Sequence, residues 1–211
     1  MSLNKYKKSI EKLKVFLFKI MFKLVLRTHA FTKGIFFIKG NLNEKYLDYL
    51  KEIIFSYVFK NPKREIFIII DTTGGNVQAS LAFYDFIKGL ENKTTAIVMG
   101  KCHSAGLVIL ASCQRRLSYK HSTFFFHQMT SSIGLDDVCD NNNKKISFGL
   151  QKHEKLSSLL RNLEQKEFGL SKEVLNDLAY NGKEYDKKLF ADEVLELGVI
   201  HEIVERLPFK I

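Results

Sequence analysis

The residue types able to do chemistry gather in one stretch, Gly100-Lys101-Cys102-His103-Ser104-Ala105-Gly106. Ser104 stands between an apolar run, Thr94 to Met99, and a small-residue helix start, Ala105-Gly106-Leu107-Val108-Ile109-Leu110. A serine on a strand-to-helix turn exposes its hydroxyl and has backbone N–H groups beside it, the setting for a nucleophile with an oxyanion pocket. A hydroxyl is a poor nucleophile until a base takes its proton, and that base needs a third group to orient it. Two histidines come into view: His127, after Phe124-Phe125-Phe126, and His103, next to the serine itself. Taken alone, a histidine after a strand is more often a core residue than a base. Adjacent side chains on such a turn also generally diverge, which counts against His103 as the base.

The elements that must position these residues can be read from hydrophobic periodicity. Ile66-Phe67-Ile68-Ile69-Ile70 is too short for an ordinary helix and too apolar for an exposed strand, so it predicts a buried strand of a parallel sheet. Asp71-Thr72-Thr73-Gly74-Gly75 breaks that strand with two glycines, residues that adopt positive φ freely. Val77, Leu81, Tyr84 and Ile87 recur at helical spacing. Thr94 to Met99 predicts a second strand, with a sharp turn at Gly100. Upstream, Gly34 to Gly40 reads as a strand and Glu44 to Phe59 as a helix, stopped by Asn61-Pro62. This alternation predicts an α/β fold with helices laid on a parallel sheet.

After His127, Gly134 to Asn143 reads as a loop. Ile146, Leu150, Leu156, Leu159, Leu160, Leu163 and Phe168 predict one long helix ended by Gly169. Ser171 caps a helix from Lys172 to Tyr180, and Asn181-Gly182 is a turn. Ala191 to Leu197 predicts a short helix closed by Gly198, and Val199 to Val204 a last strand.

Asp71-Thr-Thr-Gly-Gly-Asn-Val, Gly100-x-x-x-Ser104-Ala-Gly and Phe126-His127-Gln128, in that order, resemble the motifs of the Clp-type serine peptidases, the ClpP family. There a strand ends in Ser-Pro-Gly-Gly, a Gly-x-Ala-Ala-Ser-x-Gly turn carries the nucleophile, and a His-Gln pair follows a later strand. The resemblance runs from about Gly34 to Val204 and includes a similar closing segment, Ala191-Asp-Glu-Val-Leu-Glu-Leu-Gly-Val-Ile. It implies a ClpP/crotonase-like fold of repeated β-β-α units, with a mostly parallel sheet and a helical handle formed by the long helix. It also implies a serine endopeptidase, with Ser104 as nucleophile, His127 as general base, and the backbone N–H groups of Gly75 and Ala105 as the oxyanion hole. The family's aspartate falls between Ser171 and Gly198. Counting from one end leads to Asp177 and from the other to Asp186, and the resemblance leaves both open, in the order Asp186, Asp177. Among the departures from the pattern, Thr73 and Met129 replace prolines, and His103 replaces an alanine.

The implied partners are peptide or unfolded-protein substrates, further copies of the chain in a ring, and an ATP-driven unfoldase. No nucleotide-binding loop occurs here, so ATP use would belong to that partner. No cofactor or metal is expected. A catalytically silent structural subunit with the same fold is the alternative reading.

At 211 residues with 45% hydrophobic and 27% charged residues, the chain has a globular composition and room for one sizeable core. Cys102, Cys113 and Cys139 show no metal-type pairing, and three cysteines make no complete disulfide framework, which points to a reducing, cytoplasmic setting. The net charge of +10 is spread along the chain, as on a solvated basic surface rather than a nucleic-acid footprint. Residues 1–33 form a separate N-terminal segment before a peptidase domain at 34–211. From Ile10 to Leu26, lysines interrupt a mostly apolar run that is too short to span a membrane. Lys5, Lys8, Lys12, Lys19 and Lys23 fall on one helical face, giving a basic amphipathic helix suited to an anionic membrane surface or to docking on protein.

Overall fold

The computed structural model describes residues 29–127, 143–179 and 188–209, and only the backbone for 143–149. The expected amphipathic helix at 10–26 and Cys139 therefore lie outside the described residues. A helical turn at 29–32 leads into β1 (Ile35–Leu42), followed by α1 (Glu44–Lys60) and β2 (Ile66–Gly75). Next come α2 (Val77–Lys88), β3 (Thr94–His103), α3 (Gly106–Ser112), β4 (Arg115–Ser118) and β5 (Thr123–Phe125). The chain continues through α4 (Asn143–Phe168), α5 (Lys172–Ala179), β6 (Lys188–Phe190), α6 (Ala191–Glu196) and β7 (Glu202–Ile203).

The seven strands form one sheet in the order β1-β2-β3-β4-β7, with β5 alongside the far end of β3 and β6 on the outside of β5. All pairs are parallel except β5–β6. This is the mostly parallel α/β architecture expected. Alternation along the apolar strands loads both faces. Ile66, Ile68 and Ile70 join the main core with Ile38, Phe83 and Ile109, while Ile69 joins Ile35, Ile97 and Leu117 on the other face. The strands are buried on both sides, as a parallel sheet requires.

The helices start and stop where local chemistry dictates. Asn43 caps α1 by accepting from the Tyr46 N–H, and Leu47, Leu50, Ile54 and Tyr57 form its buried face. Asn76 caps α2 in the same way through the Ala79 N–H. The buried face of α2 is Ser80, Phe83 and Ile87, so of the expected Val77-Leu81-Tyr84-Ile87 line Ile87 alone is fully buried, with Val77 and Tyr84 at the margin of the core. Every residue of α3 is buried, so this short apolar helix is the centre of the molecule. In the long α4, Leu163 and Phe168 pack on the core while Leu150 and Leu159 are exposed. Gly169 leaves this helix at φ +70°, and the Ser171 hydroxyl accepts from the Val174 N–H to cap α5.

Two expectations need correcting. The turn is not at Gly100: β3 runs through it to His103, with Gly100 at φ +124° where a Cβ would meet the Asp71 Oδ1 at 2.7 Å. Gly100 is thus a bulge residue in a continuing strand, and the β2–β3 register shifts there, between Ile70 and Thr72. The last strand is only Glu202–Ile203, because the carbonyl of buried Val199 is taken by the Arg116 guanidinium at 2.7 Å instead of a ladder partner.

Candidate active site

The site is assembled where β2, β3 and β5 end. Thr72, buried at the end of β2, is its hub. Its hydroxyl donates to the Gly40 carbonyl and accepts from the Gly74 N–H at 3.0 Å. Its methyl group faces Gly106, where a Cβ would lie 2.6 Å from it. Gly74 is thereby pinned at φ +91°, and a Cβ on it would stand 2.7 Å from both the Ser104 Cβ and the His103 carbonyl oxygen. The Ala105 nitrogen is 3.1 Å from the same point. Gly75, at φ +150°, is pressed instead against the backbone of its register partner Leu42.

Ser104 has a φ of +54°, the one positive value at a non-glycine among the described residues. Such a conformation costs on the order of 1–2 kcal/mol and persists only where surroundings enforce it. Here the enforcement is visible. The Ser104 N–H donates to the Phe125 carbonyl at 2.8 Å, and its carbonyl accepts from the Leu107 N–H at 2.9 Å, opening α3. The strand-to-helix turn is therefore Ser104 itself, half-buried at a sharp elbow.

His127 reaches this neighbourhood because β4 and β5 run consecutively along β3. Ser122 bridges the break between them: its hydroxyl donates to the Val98 carbonyl and accepts from the Gly100 N–H. The pairs Cys102 with Phe124 and His103 with Phe125 then lead Ser104 and His127 off the ends of adjacent parallel strands. The His127 ring is stacked on Phe125 with centroids 5.2 Å apart. His103 is held elsewhere, its Nε2 3.0 Å from the Thr123 Oγ1. Burial, then the positive charges of Lys188 and Lys101, keep the His103 pKa below its ordinary value despite Asp71, so its ring is neutral at pH 7.

Of the two aspartates, Asp177 lies on α5 and lines a cleft of about 660 Å³ with Glu173, Leu178, Leu189 and Glu193, a cleft to which neither Ser104 nor His127 contributes. Asp186 lies outside the described residues. Among the described residues, no group of three or more His, Cys, Asp or Glu is placed to hold a metal ion, and no helix is long and apolar enough to cross a membrane. Cys102 and Cys113 are free thiols buried in the core, and burial pushes Cys113 up to about 12, which makes it unreactive.

Sequence reasoning missed Thr72, Phe125 and the close approach of Gly74 to Ser104. For Thr72 the signal was present, since a Thr-x-Gly at a strand end can return a hydroxyl to the glycine N–H. For Phe125 there was none, because strand alternation does not say what a half-buried aromatic touches.

The profile of the Clp protease family matches residues 23–207. The chain is similar to the ATP-dependent Clp protease proteolytic subunit 3 of Rhodococcus jostii (strain RHA1), 29% identical over 146 residues, 68% of this chain and 67% of that protein. It is also similar to the ATP-dependent Clp protease proteolytic subunit 2 of Bifidobacterium longum (strain NCC 2705), 25% identical over 147 residues, 69% of this chain and 66% of that protein. Each match thus spans about two thirds of the relative's length.

Proposed function

This chain belongs to the Clp protease family, and from that premise we propose that it is a serine endopeptidase with Ser104 as nucleophile and His127 as general base. The observation that carries this reading is the enforced positive φ of Ser104, tied by its own N–H to the strand that delivers His127. In the reaction, the Ser104 Oγ attacks the scissile carbonyl carbon as His127 takes the hydroxyl proton. The tetrahedral oxyanion is met by the N–H groups of Gly75 and Ala105. Collapse of this intermediate breaks the C–N bond, His127 returns the proton to the leaving amine, and water then cleaves the Ser104 ester by the same steps in reverse.

The orienting acid in this proposal is Asp186. Lys188 and Phe125 are antiparallel register partners, and in the sequence Asp186 precedes Lys188 by two positions as His127 follows Phe125 by two. Asp177 lines the cleft on α5 described above.

We further propose that the chain works as the proteolytic subunit of a ring, beside an ATP-driven unfoldase. The names of its two relatives support a proteolytic subunit working with ATP, and three exposed aromatics on α1, Tyr49, Phe55 and Phe59, the last 82% exposed, support contact with other chains. The domain reading is one peptidase domain from residue 34, preceded by a basic segment for which docking on an anionic membrane is the proposed role. Hydrolysis of a short fluorogenic peptide tests the activity: the wild type turns it over, and Ser104→Ala falls to background. Equal hydrolysis by both proteins contradicts the reading.

A further inference from the structure

Strand alternation divides β5 and the residues that follow it. Phe124 and Phe126 are sunk in the core, which sends Phe125 and His127 to the other side of the strand, both half-buried. The core does not use the Phe125 ring, yet that ring has two neighbours. The His127 imidazole lies against its face, planes 24° from parallel and centroids 5.2 Å apart. The His103 imidazole meets it at a steep 65° with centroids 5.7 Å apart, because His103 and Phe125 are register partners. The contact with the Thr123 hydroxyl fixes the His103 ring in turn.

We propose that Phe125 is a positioning residue for His127, its own ring braced by His103. The role rests on the peptidase reading above. An imidazole that must receive the Ser104 proton and pass it to the leaving amine has two side-chain torsions to hold. A flat ring on its face restrains both while leaving the ring nitrogens to the reaction. The backbone of the same residue holds the nucleophile, since the Phe125 carbonyl accepts from the Ser104 N–H. One residue therefore sets both partners of the proton transfer, the serine through its main chain and the histidine through its side chain. His103, which stands where the resembled motif has alanine, then acts as a brace and not as a second base.

The test uses the full-length assembled protein with carbon-13-labelled histidine, the His127 Cε1–H signal being assigned by its loss in His127→Gln. Stacking predicts an upfield ring-current shift of that signal in the wild type. Phe125→Leu moves it toward the position of a free imidazole, and Phe125→Tyr keeps it. Peptide hydrolysis read in parallel shows kcat reduced about tenfold in Phe125→Leu with KM little changed, and restored in Phe125→Tyr. An unmoved signal in Phe125→Leu overturns the proposal, as does a moved signal with undiminished kcat. A wild type that shows the shifted signal but hydrolyses nothing overturns the peptidase reading, and the positioning role with it. That failure is distinguishable because the stacking itself is still seen.

Discussion

Gly74 and Ser104 meet where β2 and β3 end, so closely that a Cβ on Gly74 would stand 2.7 Å from the Cβ of Ser104. The glycine is thus a steric condition for the serine elbow, beyond the freedom its own φ of +91° requires.

Gly74→Ala should therefore remove the site without unfolding the protein. The left-handed φ costs about 1–2 kcal/mol with a Cβ present, and the clash must also displace Ser104 or Ala105. Reaction with a fluorophosphonate should be lost while the circular dichroism spectrum is retained. Unimpaired reaction would show that Gly74 does not constrain the serine.

Thr72→Val keeps the shape that packs on Gly106 but deletes the hydroxyl shared by Gly40 and Gly74. It leaves a buried N–H unpaired, so stability should fall by about 1–3 kcal/mol in urea denaturation. Activity should fall as well, because Gly74 loses the bond that holds it. Thr72→Ser, which keeps the hydroxyl, should lose less of both.

The two aspartates separate by substitution. Asp186→Asn should lower kcat by about a hundredfold or more, as loss of the group orienting a catalytic histidine does. Asp177→Asn should stay within about threefold of the wild type, surface changes being usually small. The reverse pattern would move the acid to α5.

Glu167 ties α4 to α2, accepting from the Tyr84 hydroxyl and from the Lys88 ammonium, each at 2.6 Å. Burial works to raise its pKa, yet Lys88 and Tyr84 hold the carboxyl below the ordinary carboxylate range. A depressed folded-state pKa adds stability that is present above the unfolded value and is lost as pH falls through the folded one. Glu167→Gln should thus cost about 1–2 kcal/mol at pH 7. The difference in melting temperature from the wild type should narrow as the pH is taken below 4.5, the carboxylate's ordinary value.

The sheet and its long helices were legible because their apolar residues recur at strand or helix spacing and their ends carry Asn, Ser and Gly. Ile66–Ile70 and the Glu44 helix show this most plainly. The short strands were not legible. β5 and β6 have three residues each, too few for a period, and their pairing is set by contact with β3. Gly100 read as a turn because positive φ suits turns and bulges alike, and only the Asp71 carboxylate beside it tells the two apart. At the site, Ser104 and His127 stood out by type and order, while Phe125 takes its meaning from rings on neighbouring positions.

The central claim, an activated serine at residue 104, is tested most directly by fluorophosphonate labelling of the folded, assembled protein with the adduct mapped by mass spectrometry. The account predicts one adduct, on Ser104, formed by the wild type and absent from Ser104→Ala and His127→Ala. Its absence from the wild type, or its presence on another residue, would contradict the account.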